Sequence, residues 1–548
     1  MQIYHDKCFL EPIDRIIAFS NQDFKKAFDR IEEYKNKGFY LLGYVRYDAK
    51  NVFLDKSISS DLPLIYFEVY EDYTNYEPYI PQKDISIYSE AELTYEQYKD
   101  AIIKIKEHIS KGNTYEVNYT YPYKVYTNAD SLTLYNYLLQ KQTTEYNTYI
   151  ANEWEELLSF SPELFFKLDG NKILTKPMKG TVARGVTDEE DEKNYHFLKN
   201  DIKNQAENVM IVDLLRNDLS KIAQTGTVKV DKLFEIEKHP TVYQMTSEIS
   251  AELEEGTTLF DIFNAIFPCG SITGAPKIST MDIIEELEYF QRGIYCGAVG
   301  FISKEECIFS VPIRILQKNR LNDKKYYRYF VGGAVIWDSN IDEEWEETVT
   351  KKKILDTDIN FNLIETVLIK NNEVKLYNYH KKRLEKSAQE LGFEISPEDF
   401  KFNTENDCIA RYIRSKHGFS KIEYRKINEI KTNKIKIANE ALRSDNKLLY
   451  YKTTFRPWYE YILDDYFDII FVNERKELTE GTRSNIVLEI NGELYTPPCQ
   501  CGLLNGVYRQ YMIEHHNLKE KILYISDLEK ADKIYCINSV RGIVEVQL

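Results

Sequence analysis

Ala206-Glu207-Asn208-Val209-Met210-Ile211-Val212-Asp213-Leu214-Leu215-Arg216-Asn217-Asp218 is the stretch from which the fold is read most directly. At helical spacing Glu207 shares a face with Ile211, Leu214 and Leu215. A carboxylate on an apolar stripe is costly unless something pairs with it. A rim position, a buried arginine or a metal ion would each meet that need. The helical pattern extends from Glu190 to Leu219. Upstream, residues 1–85 read as short strands and turns, with a buried strand at 39–45. A helix follows at 95–110, with Tyr98, Ile102, Ile105 and Ile109 on one side, then strands at 115–126, 157–160, 164–168 and 173–174. Downstream come strands at 228–232 and 246–251, helices at 259–266 and 277–287, strands at 297–302, 308–316 and 327–335, and a closing helix at 342–355. Mixed sheets with helices outside them are the expected architecture of this α+β part.

Near residue 356 the pattern resets. A strand at 363–369, a turn at Asn371-Asn372 and a helix at 380–391 lead into a polar, irregular tract at 399–447, after which strands are expected at 448–453 and 468–473. Two domains, 1–355 and 356–548, account for this, the second of α/β type. The 548 residues, 43% hydrophobic and 29% charged, suit a globular chain with large cores. The net charge of −17 argues against nucleic acid as a partner. No apolar run is long enough for a membrane span. The eight cysteines show no metal spacing, and no secretion signal is visible, so a reducing cytoplasm is expected.

Four polar clusters interrupt the apolar runs of the first domain. The first holds Glu207. In the second, Glu344, Glu347 and Lys351 fall on one helical face after Gly332-Gly333. Glu347 and Lys351 suit an ordinary i, i+4 ion pair; Glu344 could equally join Glu207 on Mg²⁺, a hard cation often held by one or two carboxylates. The third, Gly270-Ser-Ile-Thr-Gly-Ala-Pro-Lys277, is not a Walker loop, but a glycine-rich turn into a helix can hold a carboxylate. The fourth pairs Ser161-Pro-Glu163 with Lys176-Pro-Met-Lys179-Gly-Thr181 across a hairpin.

Taken in order over about residues 90–353, with Gly112-Asn-Thr-Tyr-Glu-Val-Asn118, Tyr295-Cys-Gly-Ala-Val-Gly300 and Ile313-Arg314, these segments resemble the chorismate-utilising enzymes. The resemblance implies two sheets forming a sandwich with outer helices. It implies Mg²⁺ on Glu207 and Glu344 with help from Glu347. It gives chorismate contacts from Thr273, Gly274, Tyr295, Arg314, Gly333 and Lys351, and Glu163 as the acid for the departing C4 hydroxyl. Lys179 discriminates: aminodeoxychorismate synthases carry a lysine here that attacks ring C2, where anthranilate synthases usually carry alanine. Such a lysine must be neutral when it attacks, which calls for burial or nearby cations. Isochorismate and salicylate synthases place a general-base lysine where this chain has Glu116. Gln244 stands where many relatives have a histidine associated with pyruvate elimination. No glutaminase motif is visible, which implies a separate glutamine amidotransferase subunit or free ammonium.

The second domain holds Lys452 at the end of an apolar segment, Glu480, Arg383 at the start of a helix, a glycine turn before a helix at Gly502–Arg509, and Ser539 at a strand end. Separately these read as surface and turn residues. Their order from about Phe361 to the end resembles fold-type IV pyridoxal-phosphate enzymes, a fold of two α/β subdomains. The resemblance implies Lys452 as Schiff-base lysine and proton shuttle and Glu480 as pyridinium partner. Arg383, Gly506, Val507 and Ser539 are then phosphate contacts, and Asn485 a site wall. It also implies a homodimer through this domain. The two resemblances together imply amination of chorismate to 4-amino-4-deoxychorismate, then pyruvate elimination to p-aminobenzoate for folate synthesis. Alternatives are an anthranilate-synthase-like first half, and a second half that is aminotransferase-like or non-catalytic.

Overall fold

The computed structural model describes the chain except residues 83, 143, 240–241, 322–324, 395–399, 404–405, 417, 462 and 464. It divides into two compact units, Met1–Asp358 and Ile359–Leu548, against the 355/356 boundary read from the sequence.

The first unit contains two ten-stranded sheets. In one, the strand Glu116–Thr127 pairs along its length with Tyr327–Val335, from Val117↔Val335 to Val125↔Tyr327, and at its start with the two-residue strand Gly274–Ala275. In the other, Val242–Glu252 pairs with both Lys172–Lys176 and Met178–Ala183. The first sheet buries Tyr121, Tyr135 and Phe160 with Tyr98, Ile102 and Ile105 of the helix Tyr95–Ser110. Thr94 and Gln97 close a capping box at the start of that helix. The second sheet buries Phe166, Ile249 and Phe309 with Ile211 and Leu215 of the helix Ile202–Ser220.

Several sequence expectations need correction. Residues 1–85 are not only strands and turns: Asn21–Asn36 is a helix that buries Phe24, Ala27, Phe28 and Ile31, spaced i, i+3, i+4 and i+7 among charged residues. The helix Ser131–Lys141 was not expected. The single helical pattern at 190–219 is two helices, Asp188–Asn200 and Ile202–Ser220, because Asp201 leaves helical geometry and caps the second through Asn204 N. The apolar run at 308–316 is likewise two strands, Glu306–Ser310 and Ile315–Asn319, interrupted at Arg314 by a left-handed backbone (φ 54°).

The second unit has a four-stranded and an eight-stranded sheet. Within the tract read as irregular, Cys408–Arg414 is a strand paired on one side with Leu363–Lys370 and on the other with Ser420–Arg425. Their half-exposed faces are polar, which hid the alternation. Residues 448–453 do not form a strand: a 3₁₀ turn, Lys447–Tyr450, is capped by Asn446, and Lys452 follows it. No helix among the described residues is long and apolar enough to cross a membrane.

Candidate active sites

In the first unit Lys179 lies on Met178–Ala183 and Glu116 opens the strand Glu116–Thr127. The two sheets bring them together: Lys179 Nζ donates to Glu116 Oε1 at 2.6 Å, and both are buried. Lys179 is buried, one of the two routes expected to keep it neutral, but the group beside it is a carboxylate and not a cation. Burial pulls its pKa down, but the Glu116 carboxylate, with Glu207 and Glu163, outweighs that and holds the ammonium above its usual range. Asn118 Nδ2 steadies Glu116 Oε1 at 3.0 Å and also donates to Thr273 O at 3.2 Å. The Glu116 Oε2 and Glu163 Oε1 atoms are buried without hydrogen-bond partners. Burial raises Glu163 to about 7, opposed by Ser271 and Lys179, so the acid form is populated near neutrality.

Arg314 is a part-buried guanidinium with no ion pair among the described residues, and burial lowers its pKa, opposed by Tyr329. A desolvated cation without a counter-ion is prepared for an anionic ligand. Its left-handed backbone turns the chain between two strands. Tyr295 is buried and stacks on Phe330 at 4.6 Å. Thr273 Oγ1 bonds the Cys269 and Gly270 carbonyls, at 3.1 and 3.2 Å. Gly274 (φ 143°) runs so close to Glu116 that a Cβ would stand 2.0 Å from the Glu116 carbonyl oxygen. Lys351 Nζ donates to Gly332 O at 2.7 Å and pairs with Glu347 at 2.7 Å.

Glu207 and Glu344 face each other electrostatically. Burial raises Glu207 to about 7, with the Glu116 and Glu344 carboxylates adding to the rise, and burial lifts Glu344, with Glu347 adding. Gly333 lies against Glu344 and Glu347: a Cβ there would stand 3.1 Å from Glu344 Oε2 and 3.9 Å from Glu347 Oε1. Among the described residues no three His, Cys, Asp or Glu side chains could hold a metal by themselves. Two mutually repelling carboxylates therefore fit Mg²⁺ only with water and ligand oxygens completing its shell, as is usual for that ion. Glu347 is engaged by Lys351 instead, as its helical spacing also allowed.

Sequence reasoning missed Arg292. It is fully buried, pairs with Glu288 at 2.7 Å and donates to Ile272 O and Asn118 O at 2.9 and 2.8 Å. It thereby ties the glycine-rich turn to the strand carrying Glu116.

In the second unit a cavity of about 620 Å³ gathers Arg383, Lys452, Glu480, Asn485, Gly506, Val507 and Ser539 on its walls. Ile364 N donates to Lys452 O at 2.9 Å, fixing the lysine backbone against a strand edge. Burial, then Arg383, lowers Lys452 to about 7, opposed by Glu365. Glu480 and Asn485 face each other across a hairpin. Glu480 accepts from Tyr459 OH at 2.9 Å, Arg456 Nη2 at 3.1 Å and Asn485 Nδ2 at 3.3 Å. Gly506 caps the helix Val507–His515, and a Cβ there would stand 1.9 Å from Asn485 Oδ1. Ser539 Oγ donates to Thr366 O at 3.3 Å. Arg383 is bound on two nitrogens by Glu365, at 2.8 and 2.6 Å, which also accepts from His380 at 2.6 Å. An amine near its midpoint at neutral pH, a buried carboxylate, and a helix N-terminus beside an arginine fit pyridoxal phosphate. Glu365, Arg456 and Tyr459 were missed. Glu365 had a signal: it takes an inward position between Leu363 and Val367, where a carboxylate needs partners.

The first unit thus gathers buried carboxylates, a paired lysine and a guanidinium, and the second a cavity with a buried lysine and carboxylate. The chorismate binding enzyme family matches residues 74–356, more than half of the chain, and the chain belongs to it. The amino-transferase class IV family matches residues 403–548. Aminodeoxychorismate synthase component 1 of Escherichia coli is 36% identical over 274 residues, 50% of this chain and 60% of that protein. Anthranilate synthase component 1 of Aquifex aeolicus is 35% identical over 262 residues, 48% of this chain and 52% of that protein. The chain thus spans less than two thirds of the length of these curated relatives. The crystal structure of anthranilate synthase component I from Streptococcus pneumoniae shares the fold, with a TM-score of 0.56 at 22% identity, covering 65% of this chain and 92% of that one.

Proposed function

We propose that the first unit aminates chorismate at ring C4 to give 4-amino-4-deoxychorismate, and that the second releases pyruvate from it to leave p-aminobenzoate, a folate precursor. The observation that carries the reading is Lys179, a buried lysine bonded to a buried carboxylate. Relatives named for anthranilate and for aminodeoxychorismate synthesis are equally similar, so overall identity does not choose between them. A lysine able to bond to the ring does.

Arg314 and Tyr295 hold the enolpyruvyl carboxylate, and Thr273, Gly274, Gly333 and Lys351 line the rest of the substrate. Glu207 and Glu344 would hold Mg²⁺, which supplies positive charge against the ring carboxylate. Glu116 Oε1 takes a proton from Lys179 Nζ, freeing the amine. Lys179 Nζ bonds to C2, both ring double bonds shift by one position toward C4, and the C4–O bond breaks with a proton from Glu163, releasing water. Ammonia then bonds to C4 as Lys179 leaves C2. A glutamine amidotransferase subunit supplies the ammonia.

Pyridoxal phosphate, when bound, supplies an electron sink. Lys452 Nζ takes the C4 proton of the aminated ring. Glu480, fixed by Tyr459 and Arg456, orients the coenzyme ring, and Asn485 walls the site. Arg383, Ser539 and the Gly506-Val507 backbone hold the phosphate. A homodimer through this unit belongs to the proposal. So does the cytoplasm, where eight unpaired cysteines remain reduced.

The test is product analysis of the full chain with chorismate, ammonium and Mg²⁺, with and without pyridoxal phosphate. Aminated ring without the coenzyme and p-aminobenzoate with it are expected. Anthranilate as the product would replace the first half of the proposal. Aminated ring that persists with the coenzyme present would remove the second.

A further inference from the structure

The four-stranded sheet of the second unit has two unlike faces. Leu363, Val367, Ala410 and Tyr412 are turned to a core on one face. On the other, Thr366, Ile409 and Arg411 line the cavity of about 620 Å³. Arg411 stands in an inner strand, Cys408–Arg414, with Thr366 opposite it on one neighbour and Glu423 on the other. Arg541 lines the cavity from the turn after the strand Lys533–Asn538, where Asn538 Oδ1 accepts from Val540 N and Arg541 N at 3.0 and 2.8 Å.

These two guanidiniums stand apart from the other cations of the cavity. Both are half-buried, and among the described residues no hydrogen bond or ion pair reaches either side chain. Glu423 pairs with Lys421 at 2.9 Å and acts on Arg411 only through space. Arg383 is held by Glu365, Arg456 by Glu480, and Arg483 by the Phe467 carbonyl. Arg425, Lys426 and Lys431 are exposed, where water serves as partner. A half-buried guanidinium without an anion is costly to keep, and it is a ready two-pronged site for a carboxylate. In the mode proposed above the coenzyme phosphate takes Arg383, Ser539 and the Gly506-Val507 backbone, which leaves both arginines free. Nine lysines and arginines line the cavity against two glutamates, in a chain of net charge −17, so the cavity is set for more negative charge than one phosphate brings.

We propose that Arg411 and Arg541 bind the two carboxylates of the second unit's substrate, and so select a dicarboxylated ring amine over an apolar amino acid. The ring carboxylate and the enolpyruvyl carboxylate of 4-amino-4-deoxychorismate supply two anions. An apolar amino acid brings one, and leaves one guanidinium without a partner. This role rests on the lyase reading above, and it separates that reading from an aminotransferase-like one.

The experiment uses the full chain loaded with pyridoxal phosphate and supplied directly with 4-amino-4-deoxychorismate, so that the first unit need not act. KM is read from p-aminobenzoate release, and the coenzyme Kd from its absorbance. Arg411→Met and Arg541→Met keep much of the stem and remove the charge. Each is expected to raise KM about tenfold or more while the coenzyme Kd stays within about twofold. Arg411→Lys, which keeps the charge, is expected to recover part of the loss. In the parent chain L-leucine is expected to need about a hundredfold higher concentration than the ring amine to change the coenzyme absorbance. If the parent releases no p-aminobenzoate, the lyase reading itself fails and this role with it. If it does, and folded Arg411→Met and Arg541→Met leave KM unchanged, these arginines do not hold the carboxylates. A coenzyme Kd that rises together with KM also overturns the role, because that marks a phosphate contact or mere support of the fold. So does leucine acting as readily as the ring amine. Should a methionine variant not fold, Arg411→Gln or Arg541→Gln takes its place.

Discussion

At the scale of single residues, the two lysines are opposites. Lys179 is held charged by a carboxylate at 2.6 Å, whereas Lys452 is brought to about 7 by burial and Arg383. Lys179→Ala should cut amination by about a thousandfold or more, since the nucleophile is lost. Glu116→Gln should lower kcat and leave KM for chorismate nearly unchanged; an unaltered kcat would remove Glu116 as proton acceptor. For Lys452 the linkage sign is definite. Its folded pKa lies below the unfolded value of about 10.4, so the native chain binds fewer protons between about pH 7 and pH 10. Its burial cost is full below about pH 7 and fades as pH rises through that window. Lys452→Met, in coenzyme-free protein, should therefore raise Tm at pH 6.5 and give little gain near pH 10. A gain independent of pH would contradict the depressed amine. Neither environment was legible from local sequence, because the groups that act most on the two lysines, Glu116 and Arg383, lie on distant segments of the chain.

At the scale of elements, the glycine-rich turn organises the first site. Gly274 and Ala275 pair with Val117 and Glu116, Arg292 clamps Ile272 O to Asn118 O, and Lys277 binds Asp218 at the end of the helix that carries Glu207. Gly274→Ala would drive a methyl into the Glu116 carbonyl and should abolish amination with a modest loss of stability, about 1–3 kcal/mol. Retained activity would mean that the turn does not set Glu116. Arg292→Ala leaves the buried Glu288 uncompensated and should destabilise the unit by about 3–5 kcal/mol, read by denaturant unfolding. The helix Tyr95–Ser110 was legible because its apolar stripe and cap agree. The division at Asp201 was not, because apolar spacing continues on both sides of a single capping residue.

At the scale of the whole molecule, two units with separate cores should melt separately. Pyridoxal phosphate at about a hundred times its Kd should stabilise one calorimetric transition by about 2.7 kcal/mol and leave the other in place. A single transition shifted by the coenzyme as a whole would show that the units unfold together.

The sequence by itself determined the two-part organisation, most elements and the candidates for the reacting groups, because periodicity and ordered motifs are local properties of the chain. Only the tertiary structure decided that Glu116 meets Lys179, that Arg314 has no counter-ion among the described residues, that Glu365 occupies Arg383, and that seven dispersed residues share one cavity. The physical reason is that charge states and close approaches depend on burial and on partners from other strands, which spacing along one segment does not encode.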